Sequence, residues 1–246
     1  MSFSDEEVER YARHLVLREI GGPGQQALKA ARVLIVGAGG LGAPAALYLA
    51  AAGVGHMALA DADVVSLSNL QRQVLYGVAD VDDVKVKVAA RRLGELNPNL
   101  ALEPIAAAVT AETAGDLIRR FDLILDGTDN FATRLAVNAA CVAAGRPLVS
   151  GAIGRWTGQV GVFAGRPCYR CLVPEIPPDA ETCAAVGVVG ALAGVIGSMM
   201  ALEAIKMITG AGEPLAGRLL IYDALAGETR TVLIGADPQC PVCGDG

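Results

Sequence analysis

Arg32-Val33-Leu34-Ile35-Val36-Gly37-Ala38-Gly39-Gly40-Leu41-Gly42 is an apolar, β-branched run that breaks off in a cluster of glycines, and the uncharged stretch Leu41 to Ala52 follows at once. Five such residues bounded by glycine read as a buried strand; the longer stretch reads as a buried helix. The glycines fit GxGxxG, a spacing that lets the backbone approach phosphates and aims helix N-terminal amides at them. A second strand, His56 to Ala60, ends in Asp61, 24 residues after Gly37, where a carboxylate can accept from a ribose hydroxyl. This predicts a nucleotide site and leaves NAD, FAD and ATP open.

Working outward, Ser4 and Glu7 form a capping box that predicts a helix from Asp5 to Leu17, and Gly21 to Gly24 reads as a turn. Helical spacing resumes over Val84 to Leu96 and stops at Asn97-Pro98. Further strand candidates are Ala101 to Ala106, Phe121 to Leu125 and Pro147 to Val149. Past Ser150 the pattern changes: Gly158 to Ala164 alternates as an antiparallel strand does. A Pro-rich segment (Pro174, Pro177, Pro178), an uncharged helix to about Ile208, and strands near Leu219 to Tyr222 and Thr231 to Ile234 follow. The expected fold is α/β with a Rossmann-like sheet, mostly parallel in the first half, antiparallel strands added in the second, and helices on both faces. With no linker or repeat, residues 1–246 read as one domain: a nucleotide-binding half, 1–150, and a second half, 151–246.

Composition narrows the partners. The chain has 246 residues, 53% hydrophobic, enough for one sizeable core. A net charge of −6 without a long basic run argues against nucleic acid or an anionic membrane as the main partner. The charged N-terminus MSFSDEEVERYARHL lacks the apolar core of a signal peptide, so a cytoplasmic protein is expected. Leu41 to Ala60 and Thr182 to Leu202 are uncharged but broken by Pro44 and several glycines. Gly190 and Gly194 therefore predict close helix packing in a core rather than a membrane span.

Three segments narrow the nucleotide. Ser68-Asn69-Leu70-Gln71-Arg72-Gln73 is a polar, Arg-bearing loop after Asp61 and Asp63; Lys85 opens the next helix; Asp126-Gly127-Thr128-Asp129-Asn130 ends a buried strand. A triphosphate needs fixed cations and a carboxylate for magnesium, which Arg72, Lys85 and Asp129 supply. The bland reading makes each a solvated charge, or Asp129 the N-cap of a helix at Phe131. An NAD-dependent dehydrogenase would explain the glycines and Asp61 but not this loop or the cysteines. A non-catalytic nucleotide or zinc scaffold would not require Arg72, Lys85 and Asp129 together. His14 and His56 lack a paired acid and read as helix-surface and strand-end residues. Of the six cysteines, Cys168, Cys171, Cys240 and Cys243 form two CxxC pairs that fit a closed structural zinc site. Cys141 lies in an apolar run and reads as a small buried hydrophobe. Cys183, between the Pro-rich segment and the glycine-rich helix, could present a thiolate.

GAGGLG, DADVVSLSNLQRQ, DGTDN, CYRC, the Cys183 region and CPVC together resemble the MoeB/ThiF (HesA) family of ubiquitin-activating-like adenylyltransferases over essentially the whole chain. The resemblance implies ATP-dependent adenylation of the C-terminal glycine, in a Gly-Gly end, of a small ubiquitin-like sulfur carrier, in molybdenum-cofactor or thiamin synthesis. It implies that Gly39, Gly40 and Gly42 line the nucleotide and that Asp61 holds the ribose. Asn69, Arg72 and Lys85 would hold phosphates, Asp129 magnesium, with Asp63, Gln73 and Asn130 beside them. Arg13 would reach the site of a second subunit, implying a homodimer, and Cys183 would take the activated carrier during sulfur transfer. Gly127 stands where the family often has Cys, and Val84 where it often has Pro. No rhodanese-like segment follows Gly246, so a separate sulfur donor is expected.

Overall fold

The structure, a computed structural model, describes residues 3–176 and 187–244. Pro177, Pro178 and Cys183, and the start of the Thr182 to Leu202 stretch, lie outside the described residues. One eight-stranded sheet runs in the order β3-β2-β1-β4-β5-β6-β7-β8. Its strands are β1 (Arg32–Val36), β2 (His56–Ala60), β3 (Ala101–Ile105), β4 (Leu123–Asp126), β5 (Leu148–Gly154), β6 (Thr157–Phe163), β7 (Arg218–Asp223) and β8 (Glu228–Leu233). The first five pair in parallel, and β6, β7 and β8 are added antiparallel. The α/β architecture predicted from the sequence is the one observed. Because the order reverses at β1, with β2 on one side and β4 on the other, a crevice opens at their carboxyl ends, where open α/β sheets bind ligands.

The helices are α1 (Asp5–Arg10), α2 (Ala12–Leu15), α3 (Gly21–Ala30), α4 (Gly42–Ala52), α5 (Lys85–Leu96), α6 (Ala111–Ile118), α7 (Phe131–Ala144), α8 (Tyr169–Leu172) and α9 (Gly190–Thr209). The two sheet faces carry two apolar cores. One gathers Leu28, Leu49, Leu93 and Ile196 from α3, α4, α5 and α9; the other gathers Ile118, Val137 and Tyr169 from α6, α7 and α8. The parallel strands at the centre are therefore buried on both sides, which is why they read as unbroken apolar runs.

Several elements differ from the sequence reading. The capping box at Ser4 is present, with Ser4 N donating to Glu7 and Glu7 N to Ser4 Oγ, but the first helix breaks at Tyr11. The Tyr11 ring is buried, and its hydroxyl accepts from Asn97 Nδ2 at 2.9 Å, so tertiary packing overrides the helical periodicity. Gly21 to Gly24 is not a turn but the first turn of α3. Pro23 is tolerated there because first-turn N–H groups have no intrahelical partner. Helix α6 has no counterpart among the expected elements, and β5 extends five residues further, through Ser150-Gly151-Ala152-Ile153-Gly154, because antiparallel pairing with β6 carries it. β8 ends one residue before Ile234, which turns into the core.

Helix α9 is the one described helix long and apolar enough to cross a membrane. Here it packs against α4, α3, β5 and β6. The close approach uses Gly197, where a Cβ would lie 2.4 Å from Pro44 Cγ, and Gly190, where it would lie 2.0 Å from Gln71 O; Gly194 has open space. The helix-packing reading thus holds for a different pair of glycines than Gly190 and Gly194.

Candidate active site

At the carboxyl end of β1 the chain turns sharply enough that Gly37 takes φ +89°, and a Cβ on Gly42 would sit 1.8 Å from Gly37 O. Only glycine allows that turn and that contact. Gly42 therefore closes the turn from behind and does not line the cavity, in contrast to the position expected for it. The Ala38 peptide is held at both ends: its N–H donates to Asp61 Oδ2 at 2.8 Å, and its carbonyl accepts from Tyr76 Oη at 2.7 Å. Burial, then the charges of Asp61 and Asp80, push the Tyr76 hydroxyl well above its ordinary value, so it stays a donor.

Above this turn lies a cavity of about 850 Å³. Gly39, Gly40, Asp61, Asp63, Asn69, Arg72, Gln73, Lys85, Asp129 and Asn130 all line it. The loop after β2 forms a 3-10 turn, Leu67–Asn69, whose Asn69 carbonyl accepts from the Arg72 and Gln73 amides. That turn lays the Arg72 stem along Gly40 and leaves its guanidinium at the opening, donating to Ser68 O at 3.2 Å. Lys85, at the first position of α5, is buried, and its Nζ contacts Asp63 Oδ2 at 2.8 Å while Asp63 itself is exposed. The cation is thus held in the wall by a carboxylate that solvent can take over.

Asp129 is exposed at the cavity rim. It does not cap α7: Asn130 does, its Oδ1 accepting from Thr133 N at 2.8 Å. Asp126, one turn below, accepts from Thr128 N and Oγ1 at 3.0 and 2.7 Å and shapes the loop that carries Asp129. Gln73 is buried, and among the described residues its Oε1 has no hydrogen-bond partner. A buried orphan acceptor costs stability until a donor arrives, and a ribose hydroxyl or adenine amine is such a donor.

The sequence reading missed Arg134 and Tyr169, both buried and both lining the cavity. Arg134 donates to Gly151 O at 2.9 Å and to Thr128 O, and its positive charge lies beside the Tyr169 hydroxyl. The available signal was a charge inside the otherwise uncharged α7, one turn after its N-cap. Arg13 is exposed on α2, outside the cavity. Neither histidine lines it: His14 Nδ1 pairs with Gln25 Oε1, and His56 starts β2 stacked on Phe121. Cys141 is buried, and burial pushes its thiol up.

The two CxxC pairs converge. All four sulfurs lie within 4.8 Å of one another, with Cys168 to Cys240 at 3.7 Å and Cys171 to Cys243 at 3.4 Å. A tetrahedron of thiolates around zinc has edges of about 3.8 Å. Burial pushes Cys168 up. Against burial, backbone N–H groups of Cys243 and Val242 and the neighbouring thiols bring Cys240 down to about 7. The cluster is compatible with one metal ion and ties the C-terminal turn to α8.

Fold and site together define a nucleotide-binding α/β enzyme whose crevice gathers fixed cations and a free carboxylate beside a glycine turn. The ThiF family model matches residues 11–242, and the chain belongs to the ThiF family. The sulfur carrier protein adenylyltransferase of Thermus thermophilus is 48% identical over 254 residues, covering 100% of this chain and 94% of the relative. The molybdopterin-synthase adenylyltransferase of Escherichia coli K12 is 49% identical over 244 residues, covering 98% of each. Among solved structures, E. coli MccB with ATP superimposes with a TM-score of 0.80 at 26% identity, covering 96% of this chain and 74% of that one. The chain is an adenylyltransferase.

Proposed function

We propose that this enzyme uses ATP to adenylate the C-terminal glycine carboxylate of a small ubiquitin-like sulfur-carrier protein. The observation that carries this is the gathering of Arg72, Lys85 and Asp129 around the glycine turn, in a chain nearly half identical to adenylyltransferases that act on a sulfur carrier and on molybdopterin synthase. A carboxylate oxygen of the carrier attacks the α-phosphorus of ATP; the α–β bridging bond breaks, and pyrophosphate leaves with the electron pair. Both reactants are anionic, so the task is positioning and charge neutralisation rather than proton transfer. That accords with a cavity without histidine.

In this reading the Gly39–Gly40 backbone and the N-terminus of α4 receive phosphates, and Asp61, already oriented by the Ala38 amide, receives the ribose. Arg72 and Lys85 neutralise the leaving pyrophosphate, with Asn69 and Gln73 beside them. Asp129 would hold magnesium, which supplies charge neutralisation on the phosphate oxygens. Cys168, Cys171, Cys240 and Cys243 would hold one structural zinc, a role suited to the cytoplasm, where thiols stay reduced. Residues 151–246 would receive the carrier; the exposed edge strand β8, with Val232 and Leu233 outward, supports this. A separate protein would donate sulfur, and Cys183 would take the activated carrier. The enzyme would work as a homodimer through Arg13: His14, next to it, borders an apolar depression with the exposed Tyr48 and Leu202.

The test is ATP–pyrophosphate exchange with purified molybdopterin-type and thiamin-type carriers offered separately. Exchange should require one of them. Exchange with neither, or nucleotide protection by NAD in place of ATP with magnesium, would overturn the reading.

A further inference from the structure

Helix α7 carries two buried polar residues one turn apart, Arg134 and Asn138, in the same stripe as Val137 and Cys141. A fully buried amide destabilises a core unless its hydrogen bonds are made. Those of Asn138 point to two different places. Its Nδ2 donates to Cys168 Sγ at 3.5 Å, and its Oδ1 accepts from Tyr169 N at 2.8 Å. Cys168 belongs to the four-cysteine cluster, and Tyr169, the next residue, lines the nucleotide cavity. The Tyr169 ring is fixed edge-on to Phe163, and its hydroxyl lies in the field of the Arg134 guanidinium; both side chains line the cavity. Arg134 in turn holds Thr128 O, one residue before Asp129, and Gly151 O of β5. A path of neighbouring groups thus leads from a cluster sulfur through Asn138, Tyr169 and Arg134 to the loop at the cavity rim.

We propose that Asn138 is a positioning residue that couples the metal cluster to the nucleotide site, acting through Tyr169 and Arg134 on the Thr128-Asp129 peptide. This rests on the ATP and zinc readings given above. When Cys168 is held as a metal ligand, its sulfur accepts from Asn138 and the Tyr169 amide is fixed; Tyr169 then holds the Arg134 fork, and Arg134 fixes the loop carrying Asp129. Outer partners of metal ligands typically change metal affinity about 10–100-fold when removed. Coupling between two sites is reciprocal, so a nucleotide that orders the loop must also steady the cluster.

The experiment follows zinc release from the purified holoenzyme on titration with p-hydroxymercuribenzoate, with a zinc indicator, with and without ATP and magnesium. ATP affinity is read by calorimetry on the same samples. In wild type, ATP should slow release about fivefold or more, the lower end of ordinary coupling. Asn138→Leu keeps the side-chain bulk without the hydrogen bonds. It should release zinc about tenfold faster, bind ATP more weakly and lose the protection by ATP. Should it fail to fold, Arg134→Lys serves, keeping the charge and the Asn138 contacts while losing the fork; it too should lose the protection. ATP that binds wild type without slowing zinc release, or protection that persists in either variant, would overturn the coupling. A protein that binds no ATP, or holds no zinc, would instead overturn the readings beneath it.

Discussion

Arg72, Lys85 and Asp129 were legible from residue type and position because each follows a strand end or opens a helix, where the backbone alone decides what can face the crevice. Replacing any of them with Ala should lower carrier-dependent pyrophosphate exchange by about 100-fold or more, the scale of a lost transition-state contact. Circular dichroism should stay unchanged, and near-normal exchange in all three variants would mean the wrong cavity. Cys183→Ala should leave exchange within about threefold of wild type, since making an acyl-adenylate needs no protein nucleophile; loss of exchange in a folded variant would contradict that. Arg134 was not legible. Its partners are the carbonyls of Thr128 and Gly151, which no side-chain pattern announces. Gly42 was legible as a necessary glycine but not for its reason, since a contact with Gly37 O depends on how tightly the turn closes.

Elements were legible where one period dominated, as in β1, β2 and α5, and illegible where a partner strand or a ring contact supplied the order, as in the far half of β5 and the break at Tyr11. Helix α5 shows how an element delivers a functional residue. The 3-10 turn Val78–Asp80 precedes it, and Asp80 is buried with its carboxylate on the Gly77 amide, Arg92 and Arg91. The Gly77 hydrogen bond first, then the two guanidinium groups, hold the Asp80 carboxyl below the usual range. A depressed folded pKa gives stability that is complete above the unfolded value of about 3.9 and is lost as pH falls through the folded one. Asp80→Asn should therefore cost about 1–3 kcal/mol in urea unfolding at pH 7. The gap from wild type should narrow below about pH 4; a gap unchanged at low pH would refute the charge account. The C-terminal turn is held differently. Metal analysis should find about one zinc per chain, and stripping it should release Cys240 and Cys243 from α8, read as new proteolysis near the C-terminus. A fully folded, metal-free protein would exclude a structural zinc.

At the scale of the whole molecule, Arg72 and Lys85 line the cavity and Arg13 does not; its neighbour His14 borders the depression with Tyr48 and Leu202. In the homodimer proposed above Arg13 would serve the site of the second copy, and a twofold pair would let each subunit complete the other. Separate variants carrying Arg13→Ala and Lys85→Ala should each be nearly inactive in carrier-dependent exchange. Mixed in equal amounts and allowed to exchange subunits, they form hybrids in which one site carries both lesions and the other carries neither. With half of the dimers hybrid, activity should return to about a quarter of wild type. Mixtures that stay inactive while sedimentation shows a dimer with freely exchanging subunits would place Arg13 outside the reaction. A monomer at working concentration would remove the need for a second copy altogether.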